Sequence, residues 1–219
     1  MDKKNTTFIL ASNSPRRRQL LAVLGLEFQV IPAEVDETPR SGESPQEYVV
    51  RLAVEKAEFV QASLGLAAIV IAADTTVVAG DQILGKPVDG VEAYKMLQQL
   101  RGRKHQVFSG VALTGNGNLI TELCGTDVPM RPYSDEEIKR YIASGDPLDK
   151  AGAYAIQHPG FHPVTAIHGC YANVMGLPLC HLTIALRKID VHLGVDVPGA
   201  CREITRYKCP ISGTILGSN

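Results

Sequence analysis

Short unbroken apolar runs alternate with stripes of helical spacing along the first half of the chain. Phe8-Ile-Leu-Ala-Ser12 predicts a strand, and Ser14-Pro-Arg-Arg-Arg-Gln-Leu-Leu-Ala-Val-Leu-Gly25 the helix after it, with Ser14 as N-cap, Pro15 in the first turn and Gly25 as the stop. Phe28 to Ala33 predicts a second strand, followed by Glu34-Val-Asp-Glu37 and a polar loop from Thr38 to Gly42. Ser44-Pro-Gln-Glu47 is a capping-box pattern opening a helix to about Ser63, with Val49, Leu52, Ala53, Ala57 and Val60 forming its apolar stripe. The run Ala67 to Ala73 suits a strand buried on both faces that ends on Asp74; Val77-Val78 follows. Downstream, the pattern gives a helix over 90–100 closed by Gly102, then strands over 105–113 and 118–131 joined at Gly115-Asn-Gly117 as a hairpin. A second capping box, Ser134-Asp-Glu-Glu137, opens a helix to about Ser144. Asp149 to Gln157 reads as a turn running into a strand, and a last amphipathic helix runs from about Leu179 to Lys188. The pattern predicts an α/β fold with crossovers and mixed strand directions.

Three placements carry chemistry. A carboxylate at the end of a buried strand is costly unless a cation, a metal or hydrogen-bond donors meet it, so Asp74 asks for a partner. Lys56 falls inside the apolar stripe of its helix, where it either snorkels outward or points its ammonium into a cleft. Arg16, Arg17 and Arg18 stand at the positive end of a helix dipole, beside free backbone N–H groups, and three cations placed against a dipole suggest an anionic ligand. Gly80-Asp-Gln-Ile-Leu-Gly-Lys86 has P-loop spacing, but Pro87 replaces the Mg²⁺-binding hydroxyl and fixes the backbone where that loop must become a helix. The chain is therefore not read as a P-loop NTPase; Lys86 is left as either a phosphate contact from another kind of loop or an ordinary surface lysine in a Gly/Pro turn.

Composition narrows the classes. A chain of 219 residues that is 45% apolar can bury a sizeable core. No apolar run approaches the roughly 18 residues of a membrane span, and Met1-Asp-Lys-Lys-Asn-Thr-Thr leads into a strand rather than a secretory leader, so a cytoplasmic location is expected. The net charge of -1 gives no electrostatic reason to expect nucleic acid or membrane as partner. Five widely spaced cysteines without a C-x-x-C pair read as reduced, buried thiols. His158, His162 and His168 are too loosely spaced to read as a metal site.

The basic residues Arg16, Arg17, Lys56, Lys86 and Lys150, with the acidic residues Glu34, Asp36, Glu37 and Asp74, are the parts of phosphoryl or nucleotidyl transfer. Whether they converge is left open by the residues alone. Ala11-Ser-Asn-Ser-Pro-Arg-Arg-Arg-Gln-Leu-Leu21, Glu34-Val-Asp-Glu37, Arg51-Leu-Ala-Val-Glu-Lys-Ala57, Ala73-Asp-Thr75, Gly85-Lys-Pro87, Asp149-Lys-Ala-Gly-Ala-Tyr-Ala-Ile-Gln157 and Asn173-Val-Met-Gly-Leu-Pro-Leu179 resemble the successive motifs of the Maf family of nucleoside triphosphate pyrophosphatases, over about residues 7 to 188.

That resemblance implies a mixed, elongated, twisted sheet flanked by helices, of Maf/Ham1-like type, with two lobes around a central cleft. It also implies hydrolysis of a nucleoside triphosphate to the monophosphate and pyrophosphate with Mg²⁺ or Mn²⁺. By the same resemblance Asp74 is the proton acceptor that activates water, Glu34 and Asp74 lie near the metal, and Ser12, Arg17, Lys56, Lys86 and Lys150 surround the phosphates. Arg16, Thr75 and Gln157 match positions linked to substrate choice. Arg16 after Pro15 and the Asp149 to Gln157 motif are similar to the branch acting on dTTP and UTP, and a glutamine amide offers both donor and acceptor to an imide such as uracil or thymine. The family usually has Gly after Gln157, where this chain has His158-Pro-Gly-Phe-His162. The expected organisation is a Maf-like domain over 1–189 and an atypical tail over 190–219, without clear periodicity, that is poorly ordered or wraps the body. A homodimer is expected by analogy only. The rival readings are a nucleotide-binding regulator with little or no hydrolysis, and a nucleotidyl- or phosphotransferase on a similar sheet.

Overall fold

The computed structural model describes residues 7–64 and 68–217, so Ala67, the first residue of the central apolar run, lies outside the described residues. The elements are β1 (Thr7–Leu10), α1 (Pro15–Ala22), β2 (Phe28–Val30), α2 (Pro45–Leu64), β3 (Ala68–Ala79), β4 (Gln82–Leu84), α3 (Gly90–Leu100), β5 (Lys104–Gly115), β6 (Asn118–Pro129), α4 (Asp135–Ala143), α5 (Tyr171–Met175), α6 (Leu179–Arg187), α7 (Val197–Thr205) and α8 (Ser212–Leu216). The sheet order is β2-β1-β3-β5-β6, with β4 also on β3. β1 is parallel to β2 and β3, whereas β3 is antiparallel to β4 and β5, and β5–β6 is a long hairpin. The fold is thus the mixed α/β sheet with flanking helices that the pattern predicts.

The unbroken apolar run of β3 has a simple cause. Its pleat sends Val70 and Ala72 to Ala53, Ala57 and Val60 on α2, and Ile69, Ile71 and Ala73 to a larger core with Leu20, Leu21, Leu182 and Ala185. A second core of Val77, Leu97, Val107, Val128, Tyr133, Ile138, Tyr141 and Tyr154 occupies the other end of the long strands.

Three expectations change, and the rejected P-loop spacing finds a plain use. β3 does not end on Asp74 but continues to Ala79, so the carboxylate sits in mid-strand. Gly80, at φ +62°, turns β3 into β4, so the first P-loop-like glycine serves a hairpin, while Gly85 follows β4 and accepts the Gly152 N–H. Residues 149–157 hold no strand: short 3-10 turns occupy Asp146–Asp149 and Ala151–Ala153, where Gly152 and Ala153 both take positive φ, and 154–157 is irregular. The helix over 179–187 is not the last, since residues 190–217 form α7 and α8. Val197 and Cys201 are buried and Ile204, Ile211, Ile215 and Leu216 half-buried against the core of α6, so the tail wraps the body.

Candidate active site

The cleft occupies a gap in the sheet. β1 pairs with one edge of β3 up to Ile71, and β4 takes the same edge from Val77. Between them, no strand among the described residues pairs with that edge at 72–76. A cavity of about 450 Å³ opens there, lined by the β1–α1 loop, α2, β3, the segment after β4, the turns around Lys150 and the end of α5. The volume suits a nucleotide-sized ligand.

Within this window the pleat divides the chemistry. Asp74 faces α2, where Lys56 Nζ donates to its Oδ1 at 2.6 Å and to Glu37 Oε1 at 2.6 Å. The lysine inside the apolar stripe and the carboxylate inside the apolar strand are therefore each other's partners, both largely buried. Gly110 lies directly opposite Asp74 on β5, and any Cβ there would overlap the Val49 carbonyl of α2, so its missing side chain lets the helix approach. Tyr48 donates to the Glu37 carbonyl at 2.8 Å and fixes the loop carrying that carboxylate. Burial, with Asp74 and Glu37 adding, pushes the Tyr48 phenol up to about 12, which keeps it a donor. Burial also pushes the Glu37 carboxyl up, but its bond to Lys56 and the charges of Lys56, Lys86 and Arg17 outweigh this and leave it below its ordinary value.

Thr75 faces the opposite side, toward α1. Ser14 caps α1 by accepting from the Arg17 N–H, and the Arg17 guanidinium donates to the Gly176 carbonyl at 2.8 Å, the Thr75 hydroxyl at 3.1 Å and the Ser12 hydroxyl at 3.4 Å. Burial lowers the Arg17 pKa while Asp74 opposes that shift. Arg16 stands at the cleft mouth, 3.9 Å from Asp149 across it. Lys86 and Gln157 are exposed and line the cleft. Lys150 also lines it, but its ammonium is held by the Asp146 carbonyl at 2.6 Å, the Asp146 carboxylate at 2.9 Å and Asp149 at 2.6 Å. Gly152 draws that segment in: its N–H donates to the Gly85 carbonyl at 3.0 Å, and a Cβ would press on Val77 at 2.9 Å.

The structure thus brings Ser12, Arg16, Arg17, Lys56, Asp74, Thr75, Lys86, Lys150 and Gln157 to one cleft. Glu34 is exposed and outside its lining, whereas Glu37, three residues on, is inside it. Ser109, fully buried behind Thr75, carries no motif signal in the sequence. His158 accepts the Gly160 and Phe161 N–H groups on Nδ1 and packs edge-on against Tyr141, a loop-shaping role. Among the described residues, no group of three or more His, Cys, Asp or Glu side chains is placed to hold a metal ion. Two carboxylates converging on one cation do fit a Mg²⁺-type site, which usually takes one or two carboxylates and completes its shell with phosphates and water. All five cysteines are free, and no helix among the described residues is long and apolar enough to cross a membrane.

The family described as Maf-like protein matches residues 7–189. A dTTP/UTP pyrophosphatase of Myxococcus xanthus (strain DK1622) is 50% identical over 193 residues, 88% of this chain and 97% of that protein. A dTTP/UTP pyrophosphatase of Geobacter sp. (strain M21) is 45% identical over 188 residues, 85% of this chain and 97% of that protein. The Staphylococcus aureus Ham1 protein is similar at a TM-score of 0.45 and 17% identity, over 73% of this chain and 80% of that one.

Proposed function

The chain belongs to the Maf-like family, and from that premise we propose that its cleft hydrolyses dTTP and UTP to the nucleoside monophosphate and pyrophosphate, in the cytoplasm. The names and near full-length coverage of its relatives support the substrate. The observation that carries the chemistry is the Lys56 bridge, whose ammonium donates to Asp74 and Glu37 together beneath a rim of Arg16, Arg17, Lys86 and Lys150.

In this reading the triphosphate lies along the basic rim with its α-phosphorus over Asp74. Lys56 engages Oδ1, so Oδ2 is the atom that orients water and takes its proton as the water oxygen bonds to the α-phosphorus. The bond to the bridging oxygen breaks and pyrophosphate leaves. Arg17, fixed before substrate arrives, and Lys86 meet the charge that develops on the leaving oxygens; such preorganised stabilisation is the larger share, and a positioned base adds ~10²–10⁴-fold. A Mg²⁺ or Mn²⁺ ion, held by Asp74 and Glu37 with phosphate oxygens, would supply further neutralisation of the triphosphate. Lys150 reaches a phosphate by exchanging Asp149 for it. Gln157, at the far rim, offers its amide to the pyrimidine imide, and Arg16 closes over the same end.

The test is pyrophosphate release across a panel of nucleoside triphosphates, with and without Mg²⁺ or Mn²⁺, for the wild type and Asp74→Asn. Release from dTTP and UTP that needs metal and falls by ~10²-fold or more in the variant is expected. Wild-type turnover in a folded Asp74→Asn protein overturns the assignment of the base. Nucleotide binding without release makes the protein a regulator instead.

A further inference from the structure

Behind the cleft, a chain of hydrogen bonds leads from Arg17 into the core. The Arg17 guanidinium donates to Thr75 Oγ1 at 3.1 Å, Thr75 Oγ1 lies 2.8 Å from Ser109 Oγ, and Ser109 donates to the Asn173 backbone carbonyl at 3.3 Å. A hydroxyl has one proton. With that of Ser109 on Asn173, the Thr75 proton lies on the 2.8 Å contact to Ser109 rather than the 3.4 Å contact to Gly176, which leaves a Thr75 lone pair for the guanidinium. The chain therefore runs in one direction, from cation to carbonyl, and its hydroxyl protons point away from the cleft.

The far end is firmly held. The Asn173 amide donates to the Val107 carbonyl and to Thr126 Oγ1, both at 2.9 Å, and Thr126 accepts the Cys170 N–H at 3.1 Å and donates to the Cys170 carbonyl at 3.2 Å. α5 is thereby pinned to β5 and β6 through buried groups: Ser109 and Asn173 are 0% exposed and Thr126 3%. The residue ending α5, Gly176, gives Arg17 its second anchor, the 2.8 Å bond from Nε. Two of the three restraints on the guanidinium, all but the 3.4 Å contact to Ser12, trace back to the buried Ser109, Thr126 and Asn173, which lie outside the cleft lining.

We propose that Ser109 is a positioning residue, which acts through Thr75 to hold the Arg17 guanidinium in its anion-binding pose before a ligand enters. The physical benefit is preorganisation: an arginine side chain loses about 2 kcal/mol of rotamer entropy when immobilised, and restraint in the empty cleft removes part of that cost from binding. The inference rests on the reading of the cleft as a triphosphate site. Its consequence concerns the phosphates common to all triphosphates and not the base.

The experiment measures pyrophosphate binding by calorimetry, together with kcat and KM for dTTP, UTP, CTP and GTP, in the wild type, Ser109→Ala, Arg17→Lys and the double variant. Thermal melting monitors the fold. Ser109→Ala is expected to weaken pyrophosphate about fivefold, the worth of one neutral hydrogen bond. Its kcat/KM should fall by the same factor for every triphosphate turned over, leaving their ratios unchanged. On the Arg17→Lys background, Ser109→Ala should add less than about a twofold change, because its route of action is already lost. Unchanged pyrophosphate affinity, altered ratios among triphosphates, or a full effect on both backgrounds each overturns the proposal. Should Ser109→Ala not fold, Ser109→Cys keeps the shape of the side chain and replaces its hydroxyl by a weak donor and acceptor, and the same outcomes apply. Pyrophosphate binding that follows this pattern in a protein that releases nothing from any triphosphate leaves this inference standing and removes the proposed reaction.

Discussion

Lys56→Met tests the ion pair at the centre of the cleft through stability rather than turnover. In the wild type the ammonium sits 2.6 Å from each of two carboxylate oxygens, and the side chains of Lys56 and Asp74 are each 10% exposed. Methionine keeps much of the length and volume of the lysine stem among the buried positions of α2, and what is lost is the counter-charge. Removing one partner of a buried pair typically costs about 3–5 kcal/mol, because the other charge stays behind uncompensated. Water in the open cleft reaches the Asp74 carboxylate, which argues for the lower end, about 3 kcal/mol. Glu37, half-exposed, adds little. For a chain of this size, 3 kcal/mol corresponds to a fall in Tm of roughly 6–12 °C. Lys56→Met/Asp74→Asn removes both charges and should recover most of that loss. Urea and thermal unfolding of the four proteins at pH 8 give the cycle. Lys56→Met as stable as the wild type, or a double variant no more stable than Lys56→Met, refutes the reasoning.

Two further outcomes follow from residues around the cleft. His105 is buried with Nε2 2.9 Å from the Tyr154 hydroxyl, and burial, opposed by Asp127, depresses its pKa to about 4. The folded state keeps it neutral while the unfolded chain takes a proton below pH 6.5, so its contribution is complete above 6.5 and is lost as pH falls toward 4. At about 1.4 kcal/mol per unit this amounts to about 3 kcal/mol, and His105→Phe should flatten that part of the stability profile measured by urea unfolding. Gly110→Ala forces a methyl against the Val49 carbonyl and should cost about 1–3 kcal/mol; because it pushes α2 off the strand opposite Asp74, kcat should fall even at temperatures where the variant stays folded.

Much of the site is legible in the chain because its residues break local rules. Lys56 violates an apolar stripe and Asp74 an apolar strand, and the two violations resolve into one 2.6 Å contact. The caps at Ser14, Ser44 and Ser134 are likewise local and appear as read. What is not legible depends on distant partners. The apolar run reads as a strand ending on Asp74 until β5 pairs with Asp74 through Val78 and carries β3 onward. Asp149 to Gln157 reads as a turn running into a strand until Gly152 and Ala153 take left-handed φ, a choice set at Gly152 by contact with Val77 and Gly85. Glu34 and Glu37 share one irregular loop, where no periodicity says which faces inward; Lys56 and Tyr48 decide in favour of Glu37. Val197, Cys201 and Thr205 do stand at helical spacing in the tail, but Pro198-Gly199 masks the pattern, although proline belongs in a first turn. Ser109 is invisible because a lone buried serine is informative only once Thr75 lies across from it.

The two-faced apolar run of β3 leaves the folding chain with an alignment problem. A strand with one oily face can find its place by burying that face, but Ala68 to Ala73 buries comfortably whichever way it is offset. Shifted by one residue, the run would lose little hydrophobic contact while carrying Asp74 away from Lys56. Something other than oiliness must reject the shifted pairings, and two features can: only Gly110 fits beneath the α2 backbone, and only Asp74 placed opposite it meets the lysine. The charge pair that lines the cleft is thus also a contact that the native alignment of the central strand satisfies and a one-residue slip would break.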